Sequence, residues 1–412
     1  MVRRARGRGA RKAGSALACA GALGLLAAGF SCLGGRAGPD LSLPRGLTEA
    51  TRVRVALIRE APRRVVEVRG PYAIYASDDP HAAPQFEGEA LPPTEVWAPA
   101  ADALALGGVV FRPGRTRIEP KRPGTLRVDG AGYRGDLVCR ARPGDPGAPA
   151  SVMLVNRLGL EEYVAGVLGG EMPLSYPEPA LEAQAIAART YALYEMRVRG
   201  RGADFDVTDD TTSQVYRGLE VETEGARRVV GATCGVVLTY RGLLFPAYFH
   251  STCGGTTVPA WFSLGGSDIP PLSGAPCGFC GDARYARWEA EVRKADLAEG
   301  LRREGIAVGS VDRVEVIEVG PAGHAAVVRV VHAGGEVRIR GPRFRHIVGP
   351  SVVRSTHFTA EDRGDRVLFF GCGYGHGSGL CQNGARGMAR AGYGAAEILR
   401  RYYPGAELVR IY

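Results

Sequence analysis

Glu171 stands in the segment GGEMP, with two glycines before it and a methionine and a proline after it. A carboxyl group beside apolar neighbours loses solvation of its charged form, and its pKa climbs from about 4.3 toward neutrality. A carboxyl poised there donates a proton at neutral pH, which is what glycosidic cleavage asks of a general acid. A hydrolase ordinarily adds a second carboxylate, to hold water or to form a covalent intermediate. Asp209 and Asp210, in DFDVTDDTTSQVY over 204–216, are candidates for that role, although as turn residues they also have an ordinary structural use.

The second chemical signal is cysteine. Nine occur, two of them (Cys19 and Cys32) near the start of the chain. Cys277 and Cys280 form a Cys-x-x-Cys knuckle that, with Cys253 and Cys381, would give a four-thiolate tetrahedral zinc site, with His250 or Cys372 as substitute ligands. Four protein ligands leave no position for water, so such a zinc would be structural and catalysis would need no cofactor. A pair of disulfides is the competing reading, since an exported protein meets an oxidising environment. Thioredoxin-like redox chemistry lacks its βαβ context here.

These residues need elements to hold them. Residues 152–155 are apolar and suit a buried strand. Leu160, Tyr163, Val164, Val167 and Leu168 then recur at helical spacing, with Glu161 and Glu162 at the favourable end of the helix dipole. Gly169 and Gly170 are expected to end that helix, and Met172-Pro173 to prevent its restart, which puts Glu171 in a turn. A second helix is expected from Pro177 or Pro179 to about Tyr194. Further on, 222–234 reads as a helix, 236–249 as a hairpin turning at Arg241-Gly242, and 79–106 as Pro- and Ala-rich loop. A strand at 288–292, a helix at 295–305 and strands at 311–317, 325–331 and 336–340 make a compact α+β lobe. The whole reads as α+β, with mixed and antiparallel sheets, helices flanking a cleft, and the lobe inserted over 286–349. The 59 glycines and 27 prolines among 412 residues agree with many turns and short strands.

The first 32 residues have the shape of a secretory signal, a basic stretch followed by an apolar run too short for an ordinary transmembrane helix. Cys32 could take a lipid after cleavage, although Gly29 and Phe30 make a poor lipobox. An exported protein of the periplasm or cell envelope is expected, touching membrane only through that signal or a lipid anchor. The net charge of +9 falls to about +3 without the leader's six cations, so nucleic acid is not an expected partner. Residues 33–132 read as a linker and β-rich region, and 133–412 as the catalytic region.

Three stretches, NRLGLEEYVAG (156–166), EMP (171–173) and ALEAQAIAARTYAL (180–193), resemble the core signature of the SpoIID/LytB family, the stage II sporulation protein D and amidase-enhancer group. GYGHGSGLCQNGARGM (373–388) is similar to the family's second signature, and HSTCGG (250–255) lies between the two blocks. The resemblance implies a peptidoglycan lytic transglycosylase acting on glycan strands, those stripped of stem peptides among them, with Glu171 as both acid and base. It further implies that His376 and Gln382 line the cleft, with His250 and Ser251 beside them as substrate contacts. Arg189 would bind a muramic carboxylate or hydroxyls, and Gln184, Tyr191, Gln214 and Tyr216 are candidate sugar contacts. Relatives commonly have lysine where this chain has Glu182, so no cationic role passes to that position. Metal-binding cysteines near the TSQVY segment of some relatives have no counterpart here. A water-using muramidase, a non-catalytic wall binder that enhances a cell-wall amidase, and a thiol peptidase using Cys381 or Cys372 with His376 are the other readings.

Overall fold

The computed structural model describes residues 39–44, 46–77, 82–145, 147–200 and 202–412. Residues 1–38, with Cys19 and Cys32, lie outside the described residues, and with them the signal and lipid-anchor readings. No described helix is long and apolar enough to cross a membrane. The described helices are α1 Leu160–Glu171, α2 Glu178–Arg199, α3 Glu224–Ala232, α4 Ala260–Ser263, α5 Lys294–Arg303, α6 Gly341–Val348, α7 Gln382–Arg390 and α8 Ala395–Tyr402.

Before α1 the chain is β structure, because its apolar residues alternate. In Arg52–Ala61, Val53 and Val55 are wholly buried while Arg52 is exposed. One sheet has seven strands in the order Val207–Thr208, Arg52–Ala61, Ser151–Gly159, Asp136–Arg142, Arg115–Pro120, Tyr72–Tyr75 and Phe86–Gly88. Its pairings are antiparallel except that of Val207–Thr208 with Arg52–Ala61. A second sheet has six strands, running from Ala131–Tyr133 at one edge to Val109–Phe111 at the other. Val66, Val96, Leu104 and Leu126 of the second sheet share one core with Val53, Ile118 and Leu154 of the first, and that core continues through α1, α2 and the C-terminal helices.

The structure moves several boundaries. The expected division at residue 133 is absent, since Asp136–Arg142 and Ser151–Gly159 lie between earlier strands of one sheet. Part of the expected loop at 79–106 is the strand Leu91–Ala100. Pro92 and Pro93, which have no N–H to give, sit where the register slips between Val66↔Thr94 and Val68↔Leu91. The expected 236–249 hairpin closes only as far as a Tyr240–Leu243 bridge, because Val236–Thr239 pairs instead with the C-terminal strand Glu407–Arg410. The inserted lobe is longer than 286–349. Trp288–Arg293 pairs with Arg366–Gly371, which also pairs with Phe358–Arg363, so the lobe's own core runs from Trp288 to Phe369.

α1 does not stop at its glycines. It continues through Gly169 and Gly170, and Glu171 is its last residue rather than part of a free turn. α2 runs on past Tyr194 to Arg199. Its alanines 180, 183, 185, 187, 188 and 192 are buried, which lets α1, α7 and α8 approach it closely.

Candidate active site

Glu171 is half-buried at the C-terminal end of α1. The Val215 N–H donates to Glu171 Oε1 at 2.6 Å. Burial raises the carboxyl pKa, against a smaller downward pull from Val215, the Gln382 side chain and Arg217. The approach of Val215 depends on glycine. A Cβ on Gly170 would lie 2.3 Å from Val215 O, and one on Gly166 would lie 2.4 Å from the Tyr216 ring. The glycines of α1 therefore act as a groove for the TSQVY segment, whose backbone reaches the carboxyl through it.

Gln382, the first residue of α7, faces Glu171 from the opposite side of the sequence. Its amide acts on the carboxyl, drawing its pKa down, and donates to Gln184 Oε1 at 3.4 Å. Gln184 is wholly buried on α2, and its own Nε2 has no protein partner. Asn383 Nδ2 donates to Ser251 O and to Thr252 Oγ1, both at 3.1 Å, and its Oδ1 accepts from the Tyr176 hydroxyl at 3.1 Å. Gln382 thus stands between Glu171 and Gln184, and Ser251 meets Asn383, the next residue of α7.

The two histidines of this region are neutral. His376 Nε2 donates to Phe249 O at 2.8 Å and its Nδ1 accepts from Ser378 N–H at 3.1 Å, while burial pushes its pKa down to about 4. His250 Nδ1 donates to Ser378 O at 3.0 Å and its Nε2 has no protein partner; burial and the His376 ring hold its pKa at about 3. Both nitrogens of His376 are engaged by the backbone, so it has no basic atom to offer a thiol. That removes the thiol-peptidase arrangement. Tyr191 packs on Tyr248, and Tyr248 on His376, a run of rings that ends beside the GYGHG turn.

Four expected sugar contacts, Gln184, Arg189, Gln214 and Tyr216, prove to be internal. Arg189 is fully buried, its guanidinium on Glu161 at 2.6 and 2.8 Å and on Val236 O at 2.9 Å. Helical spacing placed Arg189 on a face with Ile186 and Leu193, and that face turns inward. Gln214 accepts from the Tyr163 hydroxyl at 2.9 Å, and the Tyr216 hydroxyl donates to Asn156 Oδ1 at 3.0 Å in a stack with Tyr133 and Tyr163. Sequence reasoning missed Val215, whose contribution is a backbone N–H, and Arg217 and Asn383. Arg217 is exposed, acts electrostatically on both Glu171 and Asp209, and makes no ion pair among the described residues. Asp209 is the carboxyl that burial and Asp210 push up to about 6.

The four expected cysteines do meet. The sulfurs of Cys253, Cys277, Cys280 and Cys381 all lie within 4.8 Å of one another, and all four residues are buried. Cys253 Sγ and Cys280 Sγ are 3.6 Å apart. Thiolates about 2.3 Å from a tetrahedral zinc stand about 3.8 Å from each other, so the donor set fits such an ion. The Cys253 and Gly384 N–H groups donate to Cys381 Sγ at 3.3 and 3.2 Å, and the Tyr402 hydroxyl lies 3.0 Å from Cys277 Sγ. Gly384 is required here, because its Cβ would lie 1.9 Å from the Tyr402 hydroxyl and 2.6 Å from Cys277 Sγ. His250 and Cys372 are not members of the cluster.

A family model described as stage II sporulation protein matches residues 149–240, the span that carries α1, Glu171, α2 and Val215. Stage II sporulation protein D of Bacillus amyloliquefaciens is 30% identical over 271 residues, 62% of this chain and 75% of that protein. The chain belongs to the stage II sporulation protein D family, SpoIID/LytB. An uncharacterised protein of Brachyspira hyodysenteriae is 32% identical over 259 residues, 63% of this chain and 69% of that one. The amidase enhancer of Bacillus subtilis is 26% identical over 288 residues, 59% of this chain and 40% of that protein. A model described as a domain of unknown function matches 280–379, which encloses the lobe of this SpoIID/LytB member.

Proposed function

We propose that this chain is an exported peptidoglycan lytic transglycosylase with Glu171 as its single acid and base. The observation that carries this reading is the Glu171 carboxyl, half-buried with a raised pKa and met by Val215 N–H of the TSQVY segment and by Gln382 of the second family signature. The protonated carboxyl gives its proton to the glycosidic oxygen as the bond from that oxygen to the muramic C1 breaks. The resulting carboxylate takes the proton of the same sugar's C6 hydroxyl as that oxygen closes on C1. The products are a free hydroxyl on the leaving sugar and a 1,6-anhydromuramic end, and Glu171 is again protonated. Arg217 replaces Arg189 as the cation offered to a muramic carboxylate. The four cysteines would hold a structural zinc, an ion that in a closed thiolate site supplies cross-linking and no open position.

The test is mass spectrometry of fragments released from intact and amidase-stripped peptidoglycan by the wild type and by folded Glu171→Gln. Anhydromuramic ends from the wild type alone are the expected result. Reducing ends would make the protein a water-using muramidase, for which Asp209 is the second carboxylate. The similarity to an amidase enhancer supports a second reading, a non-catalytic glycan binder that acts through a cell-wall amidase. Its signature would be no release from either substrate, with wall binding that survives Glu171→Gln.

A further inference from the structure

The residues at the start of α7 reach in three directions. Cys381 is the N-cap, its sulfur accepting from Gly384 N–H within the four-cysteine cluster. Gln382 turns to Glu171 and Gln184. Asn383 holds the Ser251 carbonyl, the Thr252 hydroxyl and Tyr176, the last in the loop that joins α1 to α2. Leu380–Cys381 pairs in parallel with Phe249–His250, three residues before Cys253, so the sheet and the cluster fix the same point.

We propose that Gln382 is the positioning residue for Glu171 and that the four-cysteine centre is the mount that sets it in place. Gln382 has a long, flexible side chain whose amide must stop at one carboxyl. Its amide donates to Gln184 Oε1 at 3.4 Å and also acts on the Glu171 carboxyl, so the position of its Cα decides how the amide meets that carboxyl. That Cα follows directly on Cys381. Without a cation four sulfurs this close cannot all be ionised and nothing ties them together, whereas a thiophilic divalent ion bound to all four as thiolates locks Cys381 to Cys253 and to the Cys277–Cys280 knuckle. A site that looks purely structural thereby acts on the active-site carboxyl through one intervening residue.

This inference rests on Glu171 being the acid, and its test separates the two ideas. The full chain is compared with Gln382→Leu and Gln382→Asn, and with wild type freed of zinc by chelation. The carboxyl of Glu171 is titrated by 13C NMR, with Glu171→Gln supplying the assignment, and hydrogen exchange is followed across 380–390. Both Gln382 variants should titrate Glu171 at higher pH than the wild type, because the carboxylate has lost a donor. They should still bind one equivalent of zinc, and the pH profile of glycan release should move with the carboxyl. Zinc removal from the wild type should give the same upward shift and faster exchange in the first turn of α7. An unmoved Glu171 midpoint in folded Gln382→Asn, or on zinc removal, would overturn the proposal. A moved midpoint in a protein that releases no glycan would uphold the positioning role and defeat the transglycosylase reading.

Discussion

At Glu171 the deciding quantity is the balance between desolvation and donors. Burial raises the carboxyl pKa, and Val215, Gln382 and Arg217 temper the rise without cancelling it. The acid form is the one that starts the reaction, so glycan release should fall as pH rises through the raised folded-state pKa. Stability follows the same sign. A carboxyl whose pKa is raised on folding contributes fully below its unfolded value, about 4.3, and that contribution is lost as pH rises through the folded value. Glu171→Gln cannot ionise. Its melting temperature should therefore exceed that of the wild type near pH 8 and match it near pH 4, which thermal melts at the two pH values would check. A variant that melts below the wild type at pH 8 would show that the carboxylate is well solvated after all.

Among the elements, α1 and α2 show how composition sets geometry. Gly170→Ala puts a Cβ against the Val215 carbonyl, a backbone atom that cannot swing aside. The expected cost is about 1–3 kcal/mol, together with loss of glycan release as the Val215 N–H withdraws from Glu171. Gly231→Ala in α3 is the control, since nothing lies within 4 Å of its Cβ position, and it should be neutral or stabilising by up to about 1 kcal/mol. Urea denaturation of both variants checks the contrast. Arg189→Met leaves Glu161 with only the Tyr412 hydroxyl and the Gly235 N–H in place of a bidentate guanidinium. A loss of about 3 kcal/mol is expected, with glycan binding per folded molecule unchanged. Unaltered stability with lost binding would restore Arg189 to the cleft.

At the scale of the molecule, the two large cores among the described residues divide the labour. The cysteine centre belongs to the core that carries the sheets and α1, α2, α7 and α8, whereas the lobe packs around Trp288, Phe344, Phe358 and Phe369. The chelated protein should therefore lose hydrogen-exchange protection in Phe249–His250, Leu380–Cys381 and α7, and keep it in Val311–Val319, Ala325–His332 and Gly335–Arg340. Equal loss in both regions would mean that the lobe has no independent stability.

How much of this was legible follows from the range of each interaction. Helical spacing, alternating strands and the Cys-x-x-Cys knuckle are local, and they located α1, α2, the lobe strands and the four cysteines from the chain alone. The pairing of Glu171 with Gln382 was legible only as two motifs resembling one family. What local pattern misjudged was direction. Gly169 and Gly170 read as a helix stop because glycine costs a helix interior about 1 kcal/mol, yet here the close approach of Val215 outweighs that cost. Arg189 read as a binding cation because a guanidinium usually seeks water, but Glu161 and the Val236 carbonyl satisfy it inside. Val215 carried no signal, since any residue but proline supplies a backbone N–H. The sequence by itself determined the residue types and the periods that bury them; the tertiary structure decided which polar atoms face one another, because partners as far apart as Glu171 and Gln382 are brought together only when the whole core closes.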